Sequence, residues 1–224
     1  MTVKAPEPGW LFISPRGRRC RVLRVEGSRV FLWNEATKIE EKGRWALMTR
    51  ENGWHRVLRE PKDSDFTLGQ LQREHAPWCA HNFGDIPAYH PLLGIIEELG
   101  ELEDAKNTDD IKDGLADTVV FMAHFSNAFE FDLDEIAARA MKLGYRPVER
   151  KAIGKLAHHF LKREQGIRGT PAEHREKILE ALVEIYATLL DTATEYDLDL
   201  LQSVEETWAH VKKRDWKKNA TTGT

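Results

Sequence analysis

Residues 90–104 read HPLLGIIEELGELED and residues 110–123 read DIKDGLADTVVFMA, and these two stretches decide how the chain folds. In each stretch apolar residues recur every three or four positions, which is the period of an amphipathic helix. Few residues separate the two stretches, so the helices should run antiparallel, side by side. The pair predicts the centre of a helical bundle.

The same period recurs through the chain from Phe66 onward. It predicts helices at about 66–79, 89–106, 110–130, 133–143, 149–164, 172–195 and 198–214. Prolines lie near several of these boundaries, where helices commonly start or stop. The expected fold class is mainly α.

Residues 1–60 have a different chemistry. They hold 13 Lys and Arg against 7 Glu, a net charge of +6, whereas the remaining residues hold 20 against 30, a net charge of −10. Short runs rich in β-branched and aromatic residues predict strands at 10–14, 20–25, 29–33, 44–49 and 54–58. Five short strands suggest a small SH3-like β module. Its arginines form either a nucleic-acid-binding face or a solvated basic face; they are Arg16, Arg18, Arg19, Arg21 and Arg24.

Composition excludes several classes of protein. The chain has 224 residues and 41% apolar residues, which is typical of globular proteins, and its net charge is −4. Cys20 and Cys79 are the only cysteines, so a disulfide framework or a zinc-thiolate site is excluded. No run approaches the roughly 18 apolar residues of a membrane span, and the first residues lack an apolar signal core. We therefore expect a cytoplasmic protein that does not enter a membrane.

The helical region resembles itself. Residues 97–104 align with 151–158 at an offset of 54, and residues 129–136 align with 194–201 at an offset of 65. The shared Asp-Leu-Asp after an aromatic residue favours two related helical units over chance similarity between amphipathic helices.

Acidic residues are concentrated at the end of the first stretch. Five of the eight residues from 97 to 104 are acidic: Glu97, Glu98, Glu101, Glu103 and Asp104. On a helix Glu101 lies one turn from both Glu97 and Glu98, and like charges so placed repel unless a cation lies among them. A solvated acidic face is the alternative, because the apolar stripe lies on the other side. Gly94 and Gly100 lie on the acidic side, which suggests close approach of a second helix or a ligand.

A carboxylate in the second stretch also needs a partner. Asp117 is flanked by apolar residues nearly all round, and an ionised carboxylate there is costly unless it is paired or bound to a metal. Asp113 lies one turn earlier on the same face. Carboxylates from two antiparallel helices predict a Mg²⁺ site, and a salt bridge from Asp117 to a lysine is the alternative.

Three motifs carry a family resemblance. They are WCAHNF at 78–83, HPLLGIIEELGE at 90–101 and DGLAD at 113–117. Together they resemble the MazG-like superfamily of all-α nucleoside triphosphate pyrophosphohydrolases. The resemblance covers about 66–219 and leaves out the β module.

The resemblance implies a reaction and a site. Members cleave (deoxy)nucleoside triphosphates between the α and β phosphates with Mg²⁺, for which Mn²⁺ can substitute, a reaction suited to cleansing the nucleotide pool. Glu98, Glu101 and Asp117 match the metal ligands, and Glu97 matches the glutamate that orients or deprotonates the attacking water. Gly114 stands where a further acidic ligand is expected, and Asp113 is the substitute that the sequence offers.

The second unit departs further from the pattern. Lys151, Ala152 and Lys155 stand where the acids would be, so this unit should bind no metal. We expect an intramolecular pseudo-dimer with one working site, as a monomer or a homodimer. The expected domains are a β module at 1–62, an acidic unit at 63–148, a degenerate unit at 149–219 and a disordered tail at 220–224.

Contacts to the substrate follow from the same motifs. Trp78 could stack on a nucleobase and Asn82 could hydrogen-bond it, although a buried core aromatic is an equal interpretation of Trp78. Lys155, Lys212 and Arg214 are candidates for binding phosphate, or, for the last two, for complementing a helix dipole. The alternative function is a non-catalytic nucleotide-binding or adaptor protein whose β module binds nucleic acid or a protein partner.

Overall fold

A computed structural model describes residues 11–13, 19–26, 29–34, 38–44, 55–57, 66–143 and 151–223. The first part contains strands β1 (Leu11–Ile13), β2 (Arg19–Glu26), β3 (Arg29–Asn34), β4 (Ile39–Arg44) and β5 (His55–Val57). They form one antiparallel sheet in the order β4-β3-β2-β1-β5. Its own small core consists of Phe12, Cys20, Val22, Val30 and Leu32. The SH3-like interpretation stays a prediction.

The fourth strand differs from the prediction. β4 spans Ile39–Arg44, pairs along the whole of β3 and was not predicted. The strand predicted at 44–49 lies, except for Arg44, outside the described residues. Its sequence is IEEKGR, which has few of the β-branched and aromatic residues by which strands are recognised. Charged residues are common on a strand at the edge of a sheet, where they discourage pairing with other chains. The predicted hairpin turn at 51–53 also lies outside them.

The rest of the chain is helical, so the mainly α prediction is confirmed. The helices are α1 (Leu68–Phe83), α2 (Tyr89–Asp104), α3 (Thr108–Phe129), α4 (Leu133–Leu143), α5 (Lys151–Gln165), α6 (Pro171–Glu195) and α7 (Leu200–Val211). Thr67, Asn107 and Thr170 cap the starts of α1, α3 and α6 by accepting hydrogen bonds from backbone N–H groups. No helix in the described part of the chain is both long and apolar enough to cross a lipid bilayer.

Two helical hairpins build the bundle. α2 packs on α3, and α5 packs on α6, and both hairpins contribute to one hydrophobic core. α1 packs mainly on α3. Two further contacts are reciprocal, because α7 packs on α3 whereas α4 packs on α6. The helix that follows each hairpin therefore covers the second helix of the other hairpin.

The turns that follow α3 and α6 have the same geometry. Glu130 follows α3 and Asp197 follows α6, and both adopt left-handed backbone conformations, with φ of 54° and 61°. The next amide in each turn, Phe131 or Leu198, donates to the carbonyl five residues earlier, at 2.9 and 2.8 Å. Asp132 and Asp199 then accept from the backbone N–H three residues on, at 3.1 and 3.0 Å.

These turns correct the predicted alignment of the repeat. The matched residues in the turns lie 67 positions apart, as Glu130 and Asp197 do, rather than the predicted 65. The sequence comparison had matched the identical letters Asp-Leu-Asp, but the backbone matches Phe-Glu-Phe-Asp-Leu of the first unit with Tyr-Asp-Leu-Asp-Leu of the second. When the offset of 67 is applied to the preceding helices, α3 and α6, Glu180 aligns with Asp113 and Glu184 aligns with Asp117.

Candidate functional site

Facing positions on α2 and α3 bring five carboxylates together. Glu98 is half-buried, and its pKa is raised to about 8, first by burial and then by repulsion from its neighbours. Those neighbours are Asp117, Glu101, Glu97 and Asp113. We call these five residues the acidic cluster. The structure thus unites all the predicted metal ligands and the predicted catalytic glutamate.

Asp117 lies at the inner edge of the acidic cluster. Burial and the charges of Asp113 and Glu101 raise its pKa to about 6, and Arg214 opposes this shift. Within the described part of the chain Asp117 makes no direct ion pair, and the cation whose field reaches it is an arginine rather than the lysine of the salt-bridge alternative. The acidic cluster is therefore poorly neutralised by the chain itself.

The five carboxylates of the acidic cluster do not surround a single point at which a metal ion could sit. Among the residues that the structure describes, no three His, Cys, Asp or Glu side chains converge closely enough to enclose a metal ion. Like charges drive such side chains apart when no cation holds them together. Hard carboxylate oxygens are the donors that Mg²⁺ and Mn²⁺ take, so the donor set fits these ions chemically.

The two glycines on the acidic side of α2 behave differently. A Cβ atom at Gly94 would lie 2.3 Å from the ring of Phe121, so this glycine lets α3 approach, as predicted. A Cβ atom at Gly100 would meet no atom of the described residues within 4 Å, so no second helix approaches there, and the approach of a ligand stays a prediction. Gly100 lies open, beside Glu101.

Gly114 has a packing role. A Cβ atom there would lie 3.4 Å from the Cβ of Leu102 on α2. The position at which the resemblance leads one to expect an acid is therefore buried against α2 in this chain. Asp113 is exposed next to it and contributes to the field at Asp117.

Trp78 and Asn82 lie on α1 and contact the end of the chain. Trp78 Nε1 donates to the carbonyl of Arg214 at 3.1 Å, and the ring packs among His75, Phe83 and Trp208. Asn82 is buried, and its Oδ1 accepts from the backbone N–H of Trp216 at 2.7 Å. These contacts fit the core-aromatic interpretation of Trp78, and the nucleobase contacts stay predictions.

The three predicted phosphate-binding residues are in different places. Lys155 on α5 pairs with Glu184 on α6 at 2.7 Å. Lys212 pairs with Glu74 at 3.1 Å, and this bond, with those from Gln70 and Trp208, lowers the pKa of Glu74 to about 2. Arg214 is the member of the three whose charge acts on the acidic cluster.

A buried group of histidines was not predicted. His124 lies seven residues after Asp117, so the two share a face of α3. Its Nε2 is 3.4 Å from Cys79 Sγ, and its ring centroid is 5.0 Å from that of His75. Burial, followed by the charge of His124, lowers the pKa of His75 to about 3, so His75 is neutral at physiological pH. The spacing from 117 to 124 was the signal that could have revealed this group.

The basic face of the β module is partly neutralised. The guanidinium of Arg24 lies 3.8 Å above the ring centroid of Phe31 and pairs with Glu26 at 2.9 Å and Glu40 at 3.1 Å. The charge of Arg24 is therefore already paired with carboxylates of the same chain. Arg16 and Arg18 lie outside the described residues.

Comparison of the chain with known protein families, with curated proteins and with solved structures gives no match.

Proposed function

We propose that the chain is a Mg²⁺-dependent nucleoside triphosphate pyrophosphohydrolase that converts a (deoxy)nucleoside triphosphate into the monophosphate and pyrophosphate. The observation that carries the proposal is the pair Glu98 and Asp117. Both carboxylates are partly buried on facing helices, burial raises the pKa of each, and the charge of Asp117 raises that of Glu98 further. Among the residues that the structure describes, no lysine forms an ion pair with either of them. Such an arrangement is costly in a purely structural role and useful at a cation site.

Each member of the acidic cluster has a role in this proposal. Glu98, Glu101 and Asp117 would hold Mg²⁺ or Mn²⁺, and Asp113 would replace the ligand missing at Gly114. The bound cation supplies neutralisation of charge between the carboxylates and the triphosphate. Glu97 is exposed on the same face, where its carboxylate can orient a water molecule and accept its proton. Arg214 supplies a positive charge for the phosphate oxygens.

The pseudo-dimer is part of the same proposal. α5, α6 and α7 form the second unit, and the reciprocal packing of α4 on α6 and of α7 on α3 is what two related units around a local twofold axis would give. The offset of 54 makes Lys155 the counterpart of Glu101. Lys155 forms an ion pair with Glu184, the counterpart of Asp117. Because the lysine supplies the positive charge, the second unit does not need a metal ion to neutralise Glu184.

Gly114 supports a second candidate, a non-catalytic nucleotide-binding or adaptor protein. The position expected to carry an acidic ligand packs on Leu102 instead, and the remaining carboxylates are not gathered around one point. In this case the β module would bind the partner.

A substrate panel separates the two candidates. The full chain is incubated with each NTP and dNTP in millimolar Mg²⁺, and pyrophosphate and orthophosphate are measured separately. Pyrophosphate with nucleoside monophosphate supports the proposed reaction, whereas orthophosphate with nucleoside diphosphate contradicts it. Nucleotide binding without turnover supports the second candidate. An Asp117→Asn variant is the control for contaminating phosphatases.

A further inference from the structure

The chain turns back on itself after α7. Residues 212–223, which we call the C-terminal turn, close on themselves through a hydrogen bond from Asp215 N to Gly223 O at 2.6 Å. Gly223 N donates to Asn219 O at 2.8 Å. Gly223 has a φ of +71°, and a Cβ atom there would lie 2.9 Å from Arg214 Cβ, so a glycine is needed for this close approach. Residues 220–223, which the sequence analysis assigned to a tail at 220–224, thus take part in the C-terminal turn, and residue 224 lies outside the described residues.

Asn82 fastens the C-terminal turn to α1. Its side chain is 7% exposed. Oδ1 accepts from Trp216 N at 2.7 Å, while Nδ2 donates to Trp78 O at 3.0 Å and lies 3.5 Å from Arg214 O. A buried amide without these partners is destabilising, because it has lost its hydrogen bonds to water and has none in the protein. The bonds therefore strongly favour this arrangement of the C-terminal turn against α1. Asn82 therefore fixes the backbone on both sides of Asp215.

The same contacts fix the position of the Arg214 backbone, from which its side chain extends. Its carbonyl accepts from Trp78 Nε1 at 3.1 Å, and its guanidinium lies 5.9 Å from the ring centroid of Trp216, the residue whose N–H Asn82 binds. The backbones of Arg214 and of Trp216 are thus both held by α1. From this position its charge reaches Asp117 of the acidic cluster.

We propose that Asn82 is a positioning residue that acts through Arg214. Its buried amide holds the C-terminal turn so that the Arg214 guanidinium stands beside the acidic cluster, where it binds the polyphosphate of the substrate. Asn82 then contacts the protein's own backbone and not the nucleobase. This inference rests on the proposed function.

A double-mutant cycle tests the coupling. In the full chain Arg214→Ala should raise KM about tenfold to a hundredfold, because a charge-assisted contact to phosphate is lost, and should change kcat less. Asn82→Ala should raise KM about fivefold to twentyfold, by a similar factor for every nucleotide. In the Arg214→Ala background Asn82→Ala should have almost no further effect on KM, because the group that it positions is gone.

Two further variants separate positioning from a general loss of stability. Trp78→Phe keeps an aromatic ring but removes the Nε1 donor to Arg214 O, and it should raise KM by a smaller factor that also vanishes in the Arg214→Ala background. Asn127→Ala removes another partly buried amide, which donates to Gln72 O at 3.1 Å away from the C-terminal turn. It should lower thermal stability but leave KM unchanged.

The outcomes are distinct. If the effects of Asn82→Ala and Arg214→Ala on KM multiply, or if that of Asn82→Ala depends on the base, Asn82 acts independently of Arg214 and the inference is overturned. If the wild-type chain hydrolyses no triphosphate, the proposed function is wrong and the role of Arg214 on substrate is wrong with it. Activity with a non-additive cycle supports both.

Discussion

The α2–α3 face and the α5–α6 face solve the same electrostatic problem in opposite ways. On the first, burial and the charges of Asp117 and Glu101 raise the pKa of Glu98. Burial and the charges of Asp113 and Glu101 likewise raise the pKa of Asp117. On the second, the counterpart of Glu101 is Lys155, whose Nζ contacts both carboxylate oxygens of Glu184 at 2.8 and 2.7 Å. The second face contains its own cation. In the proposed function the first face takes Mg²⁺ from solution instead.

This difference shows what the scaffold requires and what the site requires. Paired helices of this kind tolerate a carboxylate on their second helix, at Asp117 or Glu184, provided that a positive charge is near. A lysine provides that charge permanently. An unneutralised acidic cluster therefore indicates a role beyond folding.

The largest expected effect is a difference in hydrolysis rate between substitutions on the two faces. Asp117→Asn keeps the shape of the side chain but removes a charged ligand, so it should reduce hydrolysis by about a thousandfold or more. Glu184→Gln, its counterpart, should leave the rate within about twofold. Initial rates at saturating Mg²⁺ measure both, and equal losses in the two variants would show that the faces are not functionally distinct.

The next effect concerns pH in the absence of metal. The pKa of Glu98 is about 8 in the folded chain against an ordinary value of 4.5, so the folded state holds its proton more tightly than the unfolded state does. The contribution of Glu98 to stability therefore falls as pH rises from about 5 to 8. In EDTA, Glu98→Gln should become more stable than the wild type at pH 8, with little difference at pH 5.

Added Mg²⁺ is the control for that pH prediction. It should raise the stability of the wild type at pH 8 more than that of Glu98→Gln, because the variant has one carboxylate ligand fewer. Urea unfolding at pH 5, 6.5 and 8 measures the effect. A gap between the two proteins that does not change with pH would contradict it.

A smaller effect tests the built-in cation. Lys155→Ala should lower the free energy of unfolding by about 0.5–1 kcal/mol, since it leaves the partly buried Glu184 unpaired. Lys177→Ala is the matched control, and it should cost less, because its partner Glu180 is 49% exposed whereas Glu184 is 23% exposed. If the two substitutions cost the same, Lys155 is an ordinary surface lysine and the comparison between the faces weakens.

The smallest effect compares two matched glycines. Gly100 and Gly154 lie at counterpart positions inside α2 and α5, and a Cβ atom at either would meet nothing within 4 Å. Alanine at each should therefore stabilise the chain by about 0.5–1 kcal/mol. Gly100→Ala should also lower activity, because its methyl group would enter the open side of α2 beside Glu101, whereas Gly154→Ala should not. Equal activity in the two variants would show that the site does not use the space at Gly100.

The sequence predicted the parts of the molecule that depend on local spacing. The seven helices follow from the recurrence of apolar residues, and the acidic cluster follows from spacings of three and four residues on two adjacent helices. β4 was missed because a charged edge strand lacks the β-branched and aromatic residues by which strands are recognised.

Longer-range relations were harder to predict. The register of the second unit was wrong by two residues, because a left-handed turn defines the match and letter identity does not. Asn82 bonds to Trp216, which lies 134 residues later in the sequence. No periodicity connects such positions, so their pairing depends on how the helices pack.

The reciprocal packing of α4 on α6 and of α7 on α3 has a consequence for how the molecule behaves on dilution. Two separate copies joined in this way would come apart at low concentration, and every substitution would appear in both of them. Within one chain the partner surface is tethered, so its effective concentration does not depend on the amount of protein. One half can then accept a lysine where the other keeps a glutamate, and each can change without imposing that change on the other.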